Sequence, residues 1–331
     1  MEDVMKKHSK RVVVVGGGTG NSVLLRGLKH FTENITAIVT VSDDGGGSGI
    51  LREDLGMLPP GDIRSCILAL ADDESVMQRL LNYRFAEGSL KGQSFGNLFI
   101  AAMNGISGDF MRAIIDVSDV MAIKGTVLPI SLDRITLSAQ LKDGEIVNGE
   151  SEIPRRALFK KSPIKMVKIH PESVRPLPDA IKAIMDAQAV IIGPGSLYTS
   201  IIPDLLVHGI EEALQNTKAK RFYIPNIMTQ PGETDGYGVC DHIDAIERHL
   251  RHPEKKIFDY VLVDNNDDHF PAFEKYRREG AHKVRFCPLR FQRTPYQAII
   301  GDYLEIKQNY IRHDAKKIAE SVLERVPYEK V

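Results

Sequence analysis

Net charge, cysteine and long apolar runs are what this sequence has little of. Lysine and arginine number 43 against 44 aspartates and glutamates, a formal net charge of -1 over 331 residues. No global field therefore draws the chain to nucleic acid or to anionic lipid, and a polyanionic ligand must be gripped locally. There are three cysteines, Cys66, Cys240 and Cys287. An odd, widely spaced set without a CxxC pair excludes a disulfide framework and a structural zinc site, and it fits a reducing compartment. Cys66 in RSCILAL and Cys287 in VRFCPL are expected in apolar settings that leave a thiol inert. No apolar run approaches the length of a membrane span, and the polar MEDVMKKHSK leads into the first strand without a signal-peptide core. The expected location is the cytoplasm, with no membrane span and no nucleic acid partner. No repeat, low-complexity tract or flexible linker divides the chain.

What is present is an alternation of short β-branched runs with helical patterns, in a chain that is 43% hydrophobic and 26% charged. Strands are predicted at residues 12–15, 35–41, 189–192, 221–224 and 260–263, most too continuously apolar to keep a wet face. Helices are predicted at 21–31, 62–71, 109–123, 178–186 and 240–250. This is the pattern of a three-layer, Rossmann-like, doubly wound α/β fold with a mostly parallel sheet. Residues 126–153 interrupt it. They alternate apolar and polar residues around a Lys-Asp-Gly turn, which predicts an inserted antiparallel β-hairpin within a single domain spanning 1–331.

Three glycine turns follow predicted strands. In the first, GGGTGNS, residues Gly17, Gly18 and Gly20 let backbone N–H groups approach a phosphate at a helix N-terminus, while Thr19 and Asn21 can cap the helix or touch a phosphate oxygen. The spacing matches neither GxGxxG nor a Walker A loop, so the turn is not a standard dinucleotide or ATPase motif. The second stretch, SDDGGGSG, puts Ser42, Asp43 and Asp44 at the end of the second strand, where an acidic residue meets a ribose hydroxyl or two carboxylates bind Mg²⁺ against a phosphate. Asp62 either joins them or caps the next helix. The triple glycine reads as a flexible loop, with Arg52 and Arg64 as surface charges beside it. The third, GPGSLYTS, offers Gly193, Gly195 and Ser196. Asn226, Gln230, Glu233 and Thr234 belong to a long polar loop at the same sheet edge, and Asn97 in GQSFGN sits at a helix start, as a cap or a ligand contact.

Together, GGGTGNS, SDDGGGSG, PPGDIR, GQSFGNL, GPGSLYTSIIPDL and NIMTQPGETDGY, in this order over almost the whole chain, resemble the superfamily of 2-phospho-L-lactate transferases and bacterial gluconeogenesis factors. The bacterial branch is the more similar one. The resemblance implies a regulatory protein that binds a nucleotide sugar such as UDP-N-acetylglucosamine, linked with gluconeogenic growth, cell wall precursor supply and cell shape. The transferase branch implies the alternative, a Mg²⁺-dependent transfer of a phospholactyl-type group from a nucleotide-activated donor, with Asp43, Asp44 and Asp62 as catalytic residues and Asp43 and Asp44 as metal ligands. NAD is an alternative occupant of such a cleft. The resemblance also implies that Tyr276 and Arg312 contact the nucleotide sugar. Stacking by a tyrosine and a grip on diphosphate by an arginine suit that chemistry, against their ordinary roles as a packed helix residue and a charge at a helix start. A homodimer and a regulatory protein partner belong to the same expectation.

Overall fold

A computed structural model describes residues 10–72 and 76–327. The strands of the central sheet are β1 (Val12–Gly16), β2 (Ile35–Val39), β3 (Thr126–Pro129), β7 (Ala189–Ile192), β8 (Lys220–Tyr223), β9 (Tyr260–Asp264) and β10 (Gln297–Gly301). Between β3 and β7 run β4 (Thr136–Leu141), β5 (Ile146–Asn148) and β6 (Ile164–His170), and after β10 come β11 (Leu304–Lys307) and β12 (Tyr310–His313). The helices in the first half are α1 (Gly18–Leu28), α2 (Gly46–Leu55), α3 (Gly61–Leu70), α4 (Val76–Asn82), α5 (Phe95–Ser107), α6 (Phe110–Val120) and α7 (Glu152–Lys160). In the second half α8 (Pro178–Asp186) is followed by a π-helical turn (Leu197–Ile201) that continues as α9 (Ile202–Leu206), then α10 (Ile210–Asn216), α11 (Val239–His249), α12 (Ala272–Arg278), α13 (Pro288–Phe291) and α14 (Ala315–Leu323).

The central sheet has the order β10-β9-β8-β7-β1-β2-β3, and every pairing in it is parallel. A parallel sheet needs helices on both faces, and β1, four valines and a glycine, is buried along its whole length because it is covered on both sides. The chain runs outward from β1 through β2 to β3, then returns to start a second half at β7 on the other flank of β1. The strand order therefore reverses between β1 and β7, and in such sheets the crevice outside the carboxyl ends at that point is where ligands bind.

The turns after these two strands touch. A Cβ on Gly20 would stand 2.6 Å from the Pro194 carbonyl oxygen, and one on Gly195 would stand 3.5 Å from that of Gly17. Gly18, with φ +70, and Gly193, with φ +80, occupy the left-handed region. Behind the sheet, α14 lies so close to α1 that a Cβ on Gly27 would stand 2.5 Å from the Ala315 carbonyl oxygen.

The interruption differs in extent from the sequence reading. Residues 126–129 are the parallel edge strand β3 of the main sheet, and the antiparallel unit is a three-stranded sheet in the order β5-β4-β6. Its β4–β5 hairpin does turn at Lys142-Asp143-Gly144, with Gly144 at φ +96. The alternating stretch hid the boundary because an edge strand shows one wet residue, Thr126, before its buried ones. Leu137, Ala139, Val147, Ile153 and Val167 of the insert join the main hydrophobic core. A second, smaller core of Ile227, Met228, Ala272, Phe273 and Ile311 packs below the β11–β12 hairpin.

Three local readings are corrected. The triple glycine is not a loop: Gly46 and Gly47 open α2, and a Cβ on Gly49 would fall 2.1 Å from the Asp44 carbonyl oxygen, so small residues serve close packing there. Arg52 is buried rather than solvated and donates to the carbonyl oxygens of Ser42, at 3.0 Å, and Ile135. Cys287 is exposed rather than in an apolar setting, because it stands at the N-cap of the short helix α13 that Pro288 opens. Among the described residues no helix is long and apolar enough to cross a membrane.

Candidate functional site

The carboxyl edge at the β1/β7 junction carries a cleft of about 260 Å³. One wall is the first turn of α1, through Thr19, Gly20 and Val23; the floor is Pro194, Asn226 and Gln230; the opposite wall is Met228, Tyr276 and Arg312. Helix α1 has no cap from its own N-cap residue Gly17 and no acidic residue in its first turn; Asp62 of α3 takes Gly18 N, and the next two residues of that turn, Thr19 and Gly20, line the cleft. The floor is a fixed polar lattice. Asn226 Nδ2 donates to Gly195 O and to Gln230 Oε1, both at 2.9 Å, and Gln230 Nε2 donates to Ser196 Oγ at 2.7 Å. Thr234 lies behind this lattice, where its hydroxyl accepts from Gln230 N at 2.8 Å.

The far wall is set by the smaller core. Tyr276 reaches from α12 to β12, its hydroxyl accepting from Ile311 N at 3.2 Å and from Arg312 Nη1 at 3.5 Å. Arg312 stands on the strand β12, not at a helix start, and among the described residues it makes no ion pair; its guanidinium lies 5.1 Å from the Tyr310 ring centroid. The cleft continues past Arg312 into a second hollow lined by Arg26, Lys307 and Tyr310. Under this wall a buried ion pair, Lys283 Nζ to Asp264 Oδ2 at 2.7 Å, ties the end of β9 to the following lobe. His313 lies half-buried beside it and donates Nε2–H to Pro225 O at 3.1 Å. Burial lowers its pKa to about 4, which keeps the ring neutral at physiological pH.

Carboxylates crowd the other side of Gly18. Asp62 is in the first turn of α3 but does not cap it; its Oδ2 accepts from Gly18 N at 2.7 Å. Desolvation and the neighbouring Asp43 raise its pKa to about 6. Asp43 Oδ1 accepts from Gly45 N at 2.9 Å, and its Oδ2, like Asp62 Oδ1, has no hydrogen bond among the described residues. Asp44 faces the insert, where Oδ2 accepts from Glu150 N at 2.8 Å and Oδ1 from Ser151 N at 3.0 Å. Ser42 donates to Glu150 Oε2 at 2.5 Å, and burial lifts that carboxyl well above the ordinary range. Asp204, likewise raised by burial, accepts from Thr40 Oγ1 at 2.8 Å.

The third glycine turn presents no free helix end. Glu233 lies at the start of the π-helical turn, accepting from Tyr198 N at 3.1 Å and Thr199 Oγ1 at 3.2 Å. Burial raises Glu233 to about 7. An internal carboxylate thus fills the position where a phosphate would sit, and Gly193, Gly195 and Ser196 shape the floor of the cleft instead.

The fold brings Thr19, Gly20, Asn226, Gln230, Tyr276 and Arg312 to one cleft, with Gly17 and Gly18 behind it. Asn21 turns inward, Nδ2 donating to Gly16 O at 2.9 Å. Asn97 lies beyond the carboxylates, and its helix is capped by Ser94, whose Oγ accepts from Asn97 N at 3.1 Å. Sequence reasoning did not find Glu150, Asp204 or His313. Only tertiary contacts bring them in, from 108, 164 and 88 positions away from Ser42, Thr40 and Pro225.

Fold and site define a class: Rossmann-like α/β proteins with a polar cleft and an acidic cluster flanking one glycine turn at the topological switch point. Residues 12–304 match the family model of the 2-phospho-L-lactate transferase CofD. A relative from Thermoanaerobacterium thermosulfurigenes is 51% identical over 98% of this chain and 99% of its own. The gluconeogenesis factors of Halalkalibacterium halodurans and Bacillus subtilis are 46% and 44% identical, covering 98% and 93% of this chain and 98% and 96% of their own. A crystal structure of a UPF0052 family member from Bacillus halodurans superposes with a TM-score of 0.90 at 43% identity, over 95% of this chain and 99% of that one. The chain belongs to the CofD family, on the branch of the gluconeogenesis factors.

Proposed function

We propose that this protein is a cytoplasmic regulator that binds a nucleotide sugar of the UDP-N-acetylglucosamine kind in the cleft between α1 and β12. The observation that carries the reading is the pairing of Tyr276 and Arg312 opposite Thr19 and Gly20 in the first turn of α1. A guanidinium with no ion pair among the described residues, across a cleft from the first turn of a helix, suits a diphosphate, which takes charge-assisted bonds from the one and backbone amides from the other. The ring of Tyr276 offers a face for a base. The amides of Asn226 and Gln230, already locked by each other, supply a rigid polar floor that selects geometry rather than charge.

The test is calorimetric titration of the purified, nucleotide-stripped chain with UDP-N-acetylglucosamine, with and without Mg²⁺, and with NAD and GDP as competitors. Selective uridine-sugar binding with the ligand left intact is expected, and Arg312→Ala should weaken it at least ten-fold, the order of a lost charge-assisted hydrogen bond of about 1.5–3 kcal/mol. Absence of uridine-sugar binding overturns the reading.

A second reading, transfer of a phosphorus-containing group from a nucleotide-activated donor, is favoured by the carboxylates across Gly18. Asp43 Oδ2 and Asp62 Oδ1 are hard oxygen donors without hydrogen bonds among the described residues and fit Mg²⁺, which needs only one or two carboxylates besides waters and phosphate oxygens. The metal would supply charge neutralisation on the transferred group. Asp44 fits less well, since two backbone amides already hold it. In the absence of a metal the Asp62 carboxyl is raised to about 6 by burial and by Asp43, and binding a cation there would relieve the repulsion between the two carboxylates. Mg²⁺-dependent consumption of a nucleotide donor is the outcome that selects this reading.

A further inference from the structure

The first turns of α2, α3 and α5 meet beside the acidic cluster. A Cβ on Gly61 would stand 2.4 Å from Ser48 Oγ and 3.3 Å from Asp43 Oδ2, and one on Gly47 would stand 2.7 Å from Gln93 Oε1. Asn97 Nδ2 donates to Ser48 Oγ at a long 3.4 Å. Gln93 and Asn97 are 6% and 4% exposed, yet Gln93 Oε1 and Asn97 Oδ1 have no hydrogen-bond partner among the described residues, and neither has Nε of the neighbouring Arg64. Buried amide oxygens left without a donor are costly, and two of them beside Ser48 mark a place where a ligand completes the bonding.

We propose that Ser48, Gln93 and Asn97 form a second subsite, one that binds the sugar of the nucleotide sugar. The inference rests on the proposed occupancy of the cleft. Two acceptor oxygens call for O–H or N–H donors, and Ser48 and Arg64 offer donors in return. Asp43 and Asp62 at its edge oppose a second anion, so the matching group is neutral and carries several donors and acceptors, as a hexose with hydroxyl and acetamido groups does. The subsite and the cleft are neighbours along the chain: Asp62 holds Gly18 N, and the next two residues, Thr19 and Gly20, line the cleft. A ligand with its diphosphate at Thr19 and Gly20 thus directs its pendant sugar across Gly18 toward Asn97. Gly47 and Gly61 keep the lip of the subsite free of side chains.

The experiment is titration of the full chain and its Gln93→Ala, Asn97→Ala and Ser48→Ala variants with UDP, UDP-glucose and UDP-N-acetylglucosamine, with thermal melting as a check on folding. The wild-type chain is expected to bind the sugar nucleotides more tightly than UDP. Each variant should lose roughly ten-fold for the sugar nucleotides while its affinity for UDP stays within about two-fold. Ser48→Ala, which deletes one hydroxyl, carries the test if an amide variant loses the cooperative melt. Equal weakening for UDP and sugar nucleotides, or no change in a folded variant, overturns the subsite. Wild-type binding of UDP and UDP-sugars with equal affinity also overturns it while leaving the cleft reading standing. Failure of the wild type to bind any of the three removes both.

Discussion

Gly20→Ala tests whether the two turns at the switch point are in contact as described. Gly20 lies inside α1, where alanine is intrinsically favoured by about 1 kcal/mol. The added methyl, however, would stand 2.6 Å from the carbonyl oxygen of Pro194 and 3.2 Å from its ring. The carbonyl is backbone in a turn fixed by Asn226 and Gln230, so it cannot swing away as a flexible side chain would. Overpacking of this kind costs about 1–3 kcal/mol, which outweighs the helix gain and leaves a net loss of up to about 2 kcal/mol. Gly105→Ala is the control. It lies in α5, exposed, and a Cβ there meets nothing within 4 Å, so it should stabilise by about 0.5–1 kcal/mol. Urea unfolding of both variants against the wild-type chain, read by far-UV circular dichroism, gives the comparison. A Gly20→Ala chain stabilised like Gly105→Ala refutes the close approach and with it the geometry of the cleft.

The insert is latched to the acidic loop by Asp44, so Asp44→Ala should strip the acceptor from two backbone amides, lower stability by about 1–3 kcal/mol in urea unfolding, and speed proteolysis between β4 and α7. An unchanged unfolding midpoint would count against the latch. Glu233 has a folded pKa raised from 4.5 to about 7, so the folded chain keeps a proton that the unfolded chain releases, and stability from this residue is lost as pH rises across that window. The stability difference between wild type and Glu233→Gln should therefore shift toward the variant by about 3 kcal/mol from pH 4.5 to pH 8, and a pH-independent difference contradicts the burial argument.

The sequence by itself determined the layers. Runs such as VVVV and AVII, buried on both faces, can only be covered parallel strands, and the glycine turns after them had to lie at one sheet edge. It also determined most of the cleft: Thr19, Gly20, Asn226 and Gln230 follow their strands directly, and strand direction alone carries them to the carboxyl edge. Tyr276 and Arg312 entered through the family resemblance, since nothing in the local pattern of α12 or β12 distinguishes them from surface residues. Tertiary structure decided what the turns do. Whether a glycine turn is open or already filled depends on which distant carboxylate reaches it, and the chain sends Asp62 to Gly18 N and Glu233 to Tyr198 N from 44 and 35 positions away. The same holds for Asp44, whose sequence context matches that of Asp43 and whose role as a latch exists only because the insert folds back onto it. Hydrogen bonds of this kind depend on distance in space, and no periodicity along the chain records which donor a carboxylate will find.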